Sequence, residues 1–200
     1  MPLDNEYRWF LATFFTVVAV FYTVLILWRQ RRSGALVHMG ARGSGHWWNH
    51  LTFRVFRLLI WWLCVLRLPF PGLDGYLGIY QGQWPAALAM AGAVMMVLGF
   101  ATAIVANFTL AGAWRSGVDV LTQGSLVRHG LYGFSRNPAF MGVALAQLGF
   151  VLVLPSAFTL LCLLVGWQAL WRQMRIEEAF LGSHFAGTYQ QYCQQVRRWV

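Results

Sequence analysis

Apolar positions in this chain gather into long unbroken runs rather than into the alternating or helical stripes of elements that face water on one side. The first run extends from Trp9 to Trp28 without a charge, long enough to cross about 30 Å of hydrocarbon as a helix. Tryptophan, a residue of the membrane–water interface, brackets it at both ends. Arg29, Arg31 and Arg32 follow at once, and the Gly-rich polar segment Ser33 to His50 reads as an interfacial loop. A second run goes from Leu51 to Leu68, with Arg54 and Arg57 near its start and Arg67 at its end. The stretch "PFPGLDGYLGIYQGQWP" has the Pro and Gly content of a turn. Trp84 to about Leu110 forms a third run rich in Ala, Gly and Met, whose small residues let helices approach closely. After a polar stretch, Ala111 to Arg136, the chain is apolar again from Ala139 to about Trp171, interrupted only by Pro155 in "LPSAF". Proline there predicts a tight turn between two short spans. The tail from Arg172 to Val200 is charged and amphipathic. The pattern predicts an all-α, polytopic integral membrane protein with about five transmembrane helices and a cytoplasmic C-terminal helix.

Composition agrees with the pattern. Charged residues make up 10% of the chain against about 25% in soluble domains, so lipid is the expected solvent. The net charge is +9 and all basic residues are arginine. These arginines fall between apolar runs, not along one stripe, which argues against nucleic acid as a partner. If the first loop faces the cytoplasm, five spans put Arg29, Arg31, Arg32, Arg42, Arg115, Arg128, Arg136, Arg172, Arg175, Arg197 and Arg198 on that side. Arg8 and Arg67 stay on the other. The positive-inside rule then places the N-terminus outside and the C-terminus inside a cytoplasmic or inner membrane. Asp4 and Glu6 beside Arg8 do not make a positive leader, so the first run is expected to stay as an anchor. Cys64, Cys162 and Cys193 lack disulfide or zinc spacing.

Acids are scarce, which singles out the adjacent pair Glu177 and Glu178 in "WRQMRIEEAF". Neighbours on a helix point about 100° apart, so one could bind a ligand while the other meets an arginine such as Arg175. The plain alternative is a solvated helix start. On the same predicted face lies "HGLYGFSRNPAFMG", residues 129 to 142. There Arg136 offers a fork of donors, Asn137 an amide, and Pro138 a helix start whose free N–H groups favour negative charge. The plain alternative for Arg136 is snorkelling to lipid headgroups. His46 and His50 in "HWWNH" have helical zinc-ligand spacing, with His38 nearby, but no third ligand at motif spacing, so no metal is expected. "GARGSG" at 40 to 45 lacks the Lys-Ser/Thr of a phosphate loop and reads as a connector. Gly142, Ala146 and Gly149 form a small-residue face suited to helix packing.

"LVRHGLYGFSRNPAFMGVALAQLG", followed some forty residues on by "RIEEAFLGSHFAGTYQQYCQQV", resembles the isoprenylcysteine carboxyl methyltransferase and phospholipid methyltransferase superfamily of integral membrane enzymes. The matching positions are His129, Gly130, Tyr132, Arg136, Asn137, Pro138, Phe140, Gly142, Glu177, Glu178, Phe185, Tyr189 and Tyr192. "WRSGVD", with Trp114 and Arg115, is similar to the family's upstream segment. Asn137 stands where the isoprenylcysteine branch has histidine, Phe140 where tyrosine is common, and Ala186 separates Phe185 from Gly187.

The resemblance implies an S-adenosylmethionine pocket on the cytoplasmic face. His129, Gly130, Tyr132, Arg136, Asn137 and Pro138 would surround the cofactor, and Glu177 or Glu178 would bind its ribose hydroxyls or amino group. Arg136 and Glu178 would carry the catalysis. One domain, 1–200, is expected, with N-terminal spans in 1–110 and the cofactor-binding part in 111–200. The implied reaction is methyl transfer to a lipophilic, membrane-embedded acceptor, an isoprenylcysteine-type carboxylate or a phospholipid amine. Such a transfer needs no metal and no covalent nucleophile. Two other readings are an NADPH-dependent membrane reductase related to sterol reductases and a non-enzymatic membrane scaffold.

Overall fold

The computed structural model describes residues 5–33, 43, 45–110 and 126–199. Five α-helices account for most of them: α1, Asn5–Ser33; α2, Gly45–Leu66; α3, Ala86–Leu110; α4, Pro138–Val153; and α5, Ala157–Gln195. Two short 3-10 helices, Pro71–Tyr76 and Gly130–Gly133, lie between them. Among the described residues there is no strand, only an isolated bridge between Ile79 and Ser156. The protein is therefore all-helical, as the apolar runs predict. His38, Arg42, Trp114 and Arg115 lie outside the described residues, as do most of the 40–45 connector and the polar stretch up to 125.

Among the described residues, three helices are long and apolar enough to cross a membrane: α1 over Asn5–Trp28, α2 over Gly45–Leu66, and α3 over Ala86–Leu110. The α4 helix is apolar but has only 16 residues, about 24 Å at 1.5 Å per residue. With the apolar first half of α5 it forms the hairpin that Pro155 predicts. Ser156 starts α5: its hydroxyl accepts from Thr159 N at 3.1 Å, and the Thr159 hydroxyl in turn accepts from Ser156 N at 3.3 Å. This reciprocal cap satisfies helix-end donors that lipid could not. The 77–80 segment seals the turn, with Tyr80 N donating to Pro155 O at 2.9 Å and Ala157 N to Gly78 O at 3.0 Å. Gly78 sits there at φ +60, and a Cβ on it would press on Ala157 Cβ at 3.0 Å.

Residues 45–50 differ from their sequence reading. Helix α2 begins at Gly45, not at Leu51. The reason is tertiary: Asn49 is buried, and its Nδ2 donates to Ala169 O and to Gln173 Oε1 of α5, both at 3.1 Å. That polar anchor holds the first turn of α2 against α5. His46 and His50 stack edge to face on the same turn, with ring centres 4.5 Å apart.

The tightest packing joins α3 to α4 through two glycine pairs. A methyl group on Gly99 would run into Gly142 O, and one on Gly142 would run into Gly99 O. Gly92 and Gly149 face each other in the same way: a Cβ on Gly92 would lie 2.7 Å from Gly149 O. In both helices the glycines are seven residues apart, two helical turns, so they share one face. Backbones in contact maximise dispersion where no hydrophobic drive separates helix from lipid. Around this pair, α1 lays Phe14 and Phe21 against Phe100 of α3 at centroid distances of 5.8 and 5.6 Å, and Phe15 against Phe150 of α4 at 5.0 Å.

At one end of the bundle, Asp74 accepts from Arg8 of α1 (Nη2 to Oδ2, 2.5 Å) and from Arg67 at the close of α2 (Nε to Oδ1, 2.5 Å). Burial alone would raise the Asp74 carboxyl, but the two guanidinium groups outweigh it and hold it below the usual carboxylate range. The two arginines assigned by sequence to the poorly charged side thus share one end of the fold. Arg136, Arg197 and Arg198 lie at the other, where α3 ends and α4 begins.

Candidate functional site

At that second end the chain turns through His129 into the 3-10 helix Gly130–Gly133. Gly130 has φ +60, and a Cβ on it would lie 3.1 Å from Thr109 Cγ2 at the end of α3. Glycine is needed for both reasons: the left-handed backbone and the close approach. The turn is closed by Tyr132 N donating to His129 O at 3.2 Å. His129 itself is exposed. The turn is fixed to the tail by Tyr192, whose hydroxyl donates to Tyr132 O at 2.7 Å. Burial pushes the Tyr192 hydroxyl up to about 12. Burial also raises the Tyr132 hydroxyl, and Glu177 adds to the effect.

Asn137 and Pro138 open α4, and both are buried. Proline belongs in a first helical turn, where its missing N–H costs nothing. Asn137 occupies the cap position but makes no side-chain cap bond. Its amide reaches instead across to α5, where Nδ2 donates to Glu178 Oε1 at 3.0 Å, and to Arg198 O at 3.3 Å. Ser135 Oγ accepts from Asn137 N at 3.1 Å and donates to Arg198 O at 3.2 Å. Arg136 is half-buried; its backbone N–H donates to Arg197 O at 3.0 Å and its Nη1 to Cys193 Sγ at 2.7 Å. Its Nε is buried and without a hydrogen-bond partner among the described residues.

The two glutamates separate as the helical period requires. Glu178 faces α4 and the 196–199 segment. Arg198 grips it with both arms, Nε to Oε1 at 3.2 Å and Nη2 to Oε2 at 2.9 Å. Glu177 faces the other way and accepts from Gln173 Nε2 at 2.9 Å. Its burial raises the carboxyl above the ordinary range, and the Gln173 hydrogen bond offsets only part of that. Through Gln173 it is linked to Asn49 of α2.

The structure thus brings together Asn137 and Glu178 directly, with Arg136 beside them, and places Tyr132 near Glu177. One expectation changes. Arg198, not Arg175, is the arginine that meets the acidic pair; Arg175 is exposed. Arg136 directs its fork at Cys193. Sequence reasoning missed Asn49, Gln173, Cys193 and Arg198 as parts of this site. Gln173 stands one helical turn before Glu177, and that spacing was the available signal. Asn49, lying between two histidines in a segment read as a loop, gave none.

The arrangement offers one carboxylate, a neutral amide, a guanidinium with an unused buried donor, and a second carboxyl raised by burial. Such a set can hold a polar ligand bearing hydroxyl, amino and carboxylate groups. The groups it would need, the acceptor oxygens of Glu178 and the Nε donor of Arg136, lie at the mouth of an apolar bundle.

The protein-S-isoprenylcysteine O-methyltransferase of Schizosaccharomyces pombe (strain 972 / ATCC 24843) is 36% identical over 72 residues, which cover 36% of this chain and 30% of that protein. The probable protein-S-isoprenylcysteine O-methyltransferases of Oryza sativa subsp. indica and subsp. japonica are each 28% identical over 111 residues, 52% of this chain and 56% of theirs. The chain thus spans between about a third and somewhat over half of the length of these curated relatives. Residues 87–188 match the family model of phospholipid methyltransferase, a stretch that includes α3, α4, the 129–138 turn and both glutamates. That match covers half of the chain, including Arg136, Asn137 and both glutamates, and it places the chain in the phospholipid methyltransferase family.

Proposed function

We propose that this protein transfers a methyl group from S-adenosylmethionine to a lipophilic acceptor that arrives from the membrane. The observation that carries the reading is the Asn137–Glu178 hydrogen bond with Arg136 beside it, a polar constellation set at the ends of apolar helices. Glu178 supplies acceptor oxygens for ribose hydroxyls or an amino group, and the unpartnered Nε of Arg136 is a donor for a carboxylate. His129, Gly130, Tyr132 and Pro138 form the wall on the α4 side, and Glu177 lies behind Glu178 on the α2 side. S-adenosylmethionine, when bound, supplies a methyl group on a sulfonium, with a neutral thioether as leaving group. The protein then has to align donor and acceptor and keep water out. Arg136 and Glu178 do the aligning. The acceptor is an amphiphile whose head reaches this end of the bundle, either an isoprenylcysteine-type carboxylate or a phospholipid amine. In this reading the chain acts as one unit, with the spans of 1–110 serving the acceptor and 111–200 the cofactor, and the site faces the cytoplasm.

The decisive experiment titrates the purified protein in lipid nanodiscs with S-adenosylmethionine and, separately, with NADPH. Saturable binding of S-adenosylmethionine alone is expected. Binding of NADPH alone would give the reductase reading, and binding of neither the scaffold reading.

A further inference from the structure

We propose that Arg198 sets the affinity of the cofactor site by competing with the ligand for Glu178; this rests on the reading of the site given above. Acceptor capacity decides the competition. An ionised carboxylate has about four lone-pair positions, two on each oxygen. In the structure Glu178 Oε1 receives Asn137 Nδ2 at 3.0 Å and Arg198 Nε at 3.2 Å, and Oε2 receives Arg198 Nη2 at 2.9 Å. One oxygen is filled and the other retains a single position. A diol that bonds one hydroxyl to each oxygen cannot be added to this pattern. A partner must leave, and Arg198 is the one free to do so. Asn137 is buried at the start of α4, whereas the Arg198 side chain is 36% exposed.

Arg198 belongs to a short strap laid over the site beyond the end of α5. Val196 is buried against Tyr189 and Tyr192. Arg197 O receives the Arg136 N–H at 3.0 Å, and Arg198 O receives both Ser135 Oγ and Asn137 Nδ2. Trp199 stacks on Trp171 with centroids 6.4 Å apart and rings inclined by 25°. The strap touches Arg136, Asn137 and Glu178 together. It also provides Arg198 with a resting place after release, because its guanidinium already lies 5.8 Å from the centre of the Trp171 ring, within cation–π range. Exchange of Glu178 between Arg198 and the ligand then requires a side-chain swing, with the strap backbone remaining seated.

A site that must first break an internal pair binds more weakly than its contacts allow, by the fraction of molecules in which the pair is open. For a pair that is partly solvated the penalty is modest, about two- to fivefold in Kd. The test is equilibrium dialysis of S-adenosylmethionine against wild-type protein, Arg198→Ala, Arg198→Gln and Arg198→Lys in nanodiscs, with thermal unfolding of each. Hydrogen exchange at the Arg136 amide, which is bonded to the strap, is followed in parallel. Arg198→Ala and Arg198→Gln are expected to bind about two- to fivefold more tightly than wild type. Arg198→Lys, which keeps the charge but loses the two-armed grip, should fall between wild type and these two variants. The Arg136 amide should stay protected, since the strap backbone keeps its own bonds. Equal or weaker binding in Arg198→Gln and Arg198→Lys, at unchanged unfolding temperature, would overturn the proposal while leaving the methyltransferase reading intact. Failure of wild-type protein to bind S-adenosylmethionine would overturn both.

Discussion

Asn137 and Glu178, 41 positions apart, meet side chain to side chain, with Asn137 Nδ2 donating to Glu178 Oε1 at 3.0 Å. The contact ties the first turn of α4 to the middle of α5 and is the centre of the proposed cofactor site. Glu178→Ala should therefore remove S-adenosylmethionine binding at least tenfold, the effect of losing a charge-assisted hydrogen bond worth about 1.5–3 kcal/mol. Calorimetric titration checks it; unchanged affinity would mean that the carboxylate serves only Asn137 and Arg198.

Arg136→Lys separates geometry from charge. Lysine keeps the cation but cannot present Nε and Nη1 in one plane. Methyl transfer should fall at least tenfold while expression and membrane insertion remain normal, as measured by turnover per inserted molecule. Full turnover in this variant would show that Arg136 only reaches for headgroups.

The glycine seam between α3 and α4 predicts a stability effect far from the chemistry. Gly99→Ala would push a methyl group into the Gly142 carbonyl and to 2.7 Å from Ala146 N. Because that neighbour is backbone, two helices must move apart, at a cost of about 1–3 kcal/mol. Thermal unfolding in detergent should drop clearly for Gly99→Ala. It should not drop for Gly187→Ala, where nothing lies within 4 Å of the added carbon.

Glu177 gives a pH prediction with a definite sign. Its carboxyl is raised from 4.5 by burial, so above that value the folded state holds the proton more tightly than the unfolded one. Stability contributed by the protonated form is present at low pH and is lost as pH rises through the folded value. Glu177→Gln keeps the shape and can still accept from Gln173, but has no charge to desolvate. It should unfold at a higher temperature than wild type at pH 8 and at nearly the same temperature at pH 4. An advantage that is equal at both values would locate the effect elsewhere.

How much of this was legible beforehand follows from where each piece of information resides. The apolar runs set the helical class and the break at 155, but not that the last apolar run and the tail join in one helix, α5. The reason is that the length of an uncharged run and a proline are local properties. The same is true of the Arg-Asn-Pro start of α4 and of the adjacent glutamates. Helix α2 was read as beginning too late, because its first turn is held by Asn49 bonding to residues 120 and 124 positions away.

The amino-acid sequence by itself determined that Glu177 and Glu178 diverge by about 100°, that a polar cluster stands at the mouth of apolar helices, and that α3 and α4 carry glycines at matching intervals. Only the tertiary structure decided the rotation of α5 about its axis. That rotation sends Glu178 to Asn137 and Arg198, and turns the Gln173 side of α5 to Asn49 of α2. The physical reason is that helical period fixes the angle between neighbouring side chains but not the phase of the helix. The phase is set by packing summed over α2, α4 and the 196–199 strap, and no local stretch of sequence contains it.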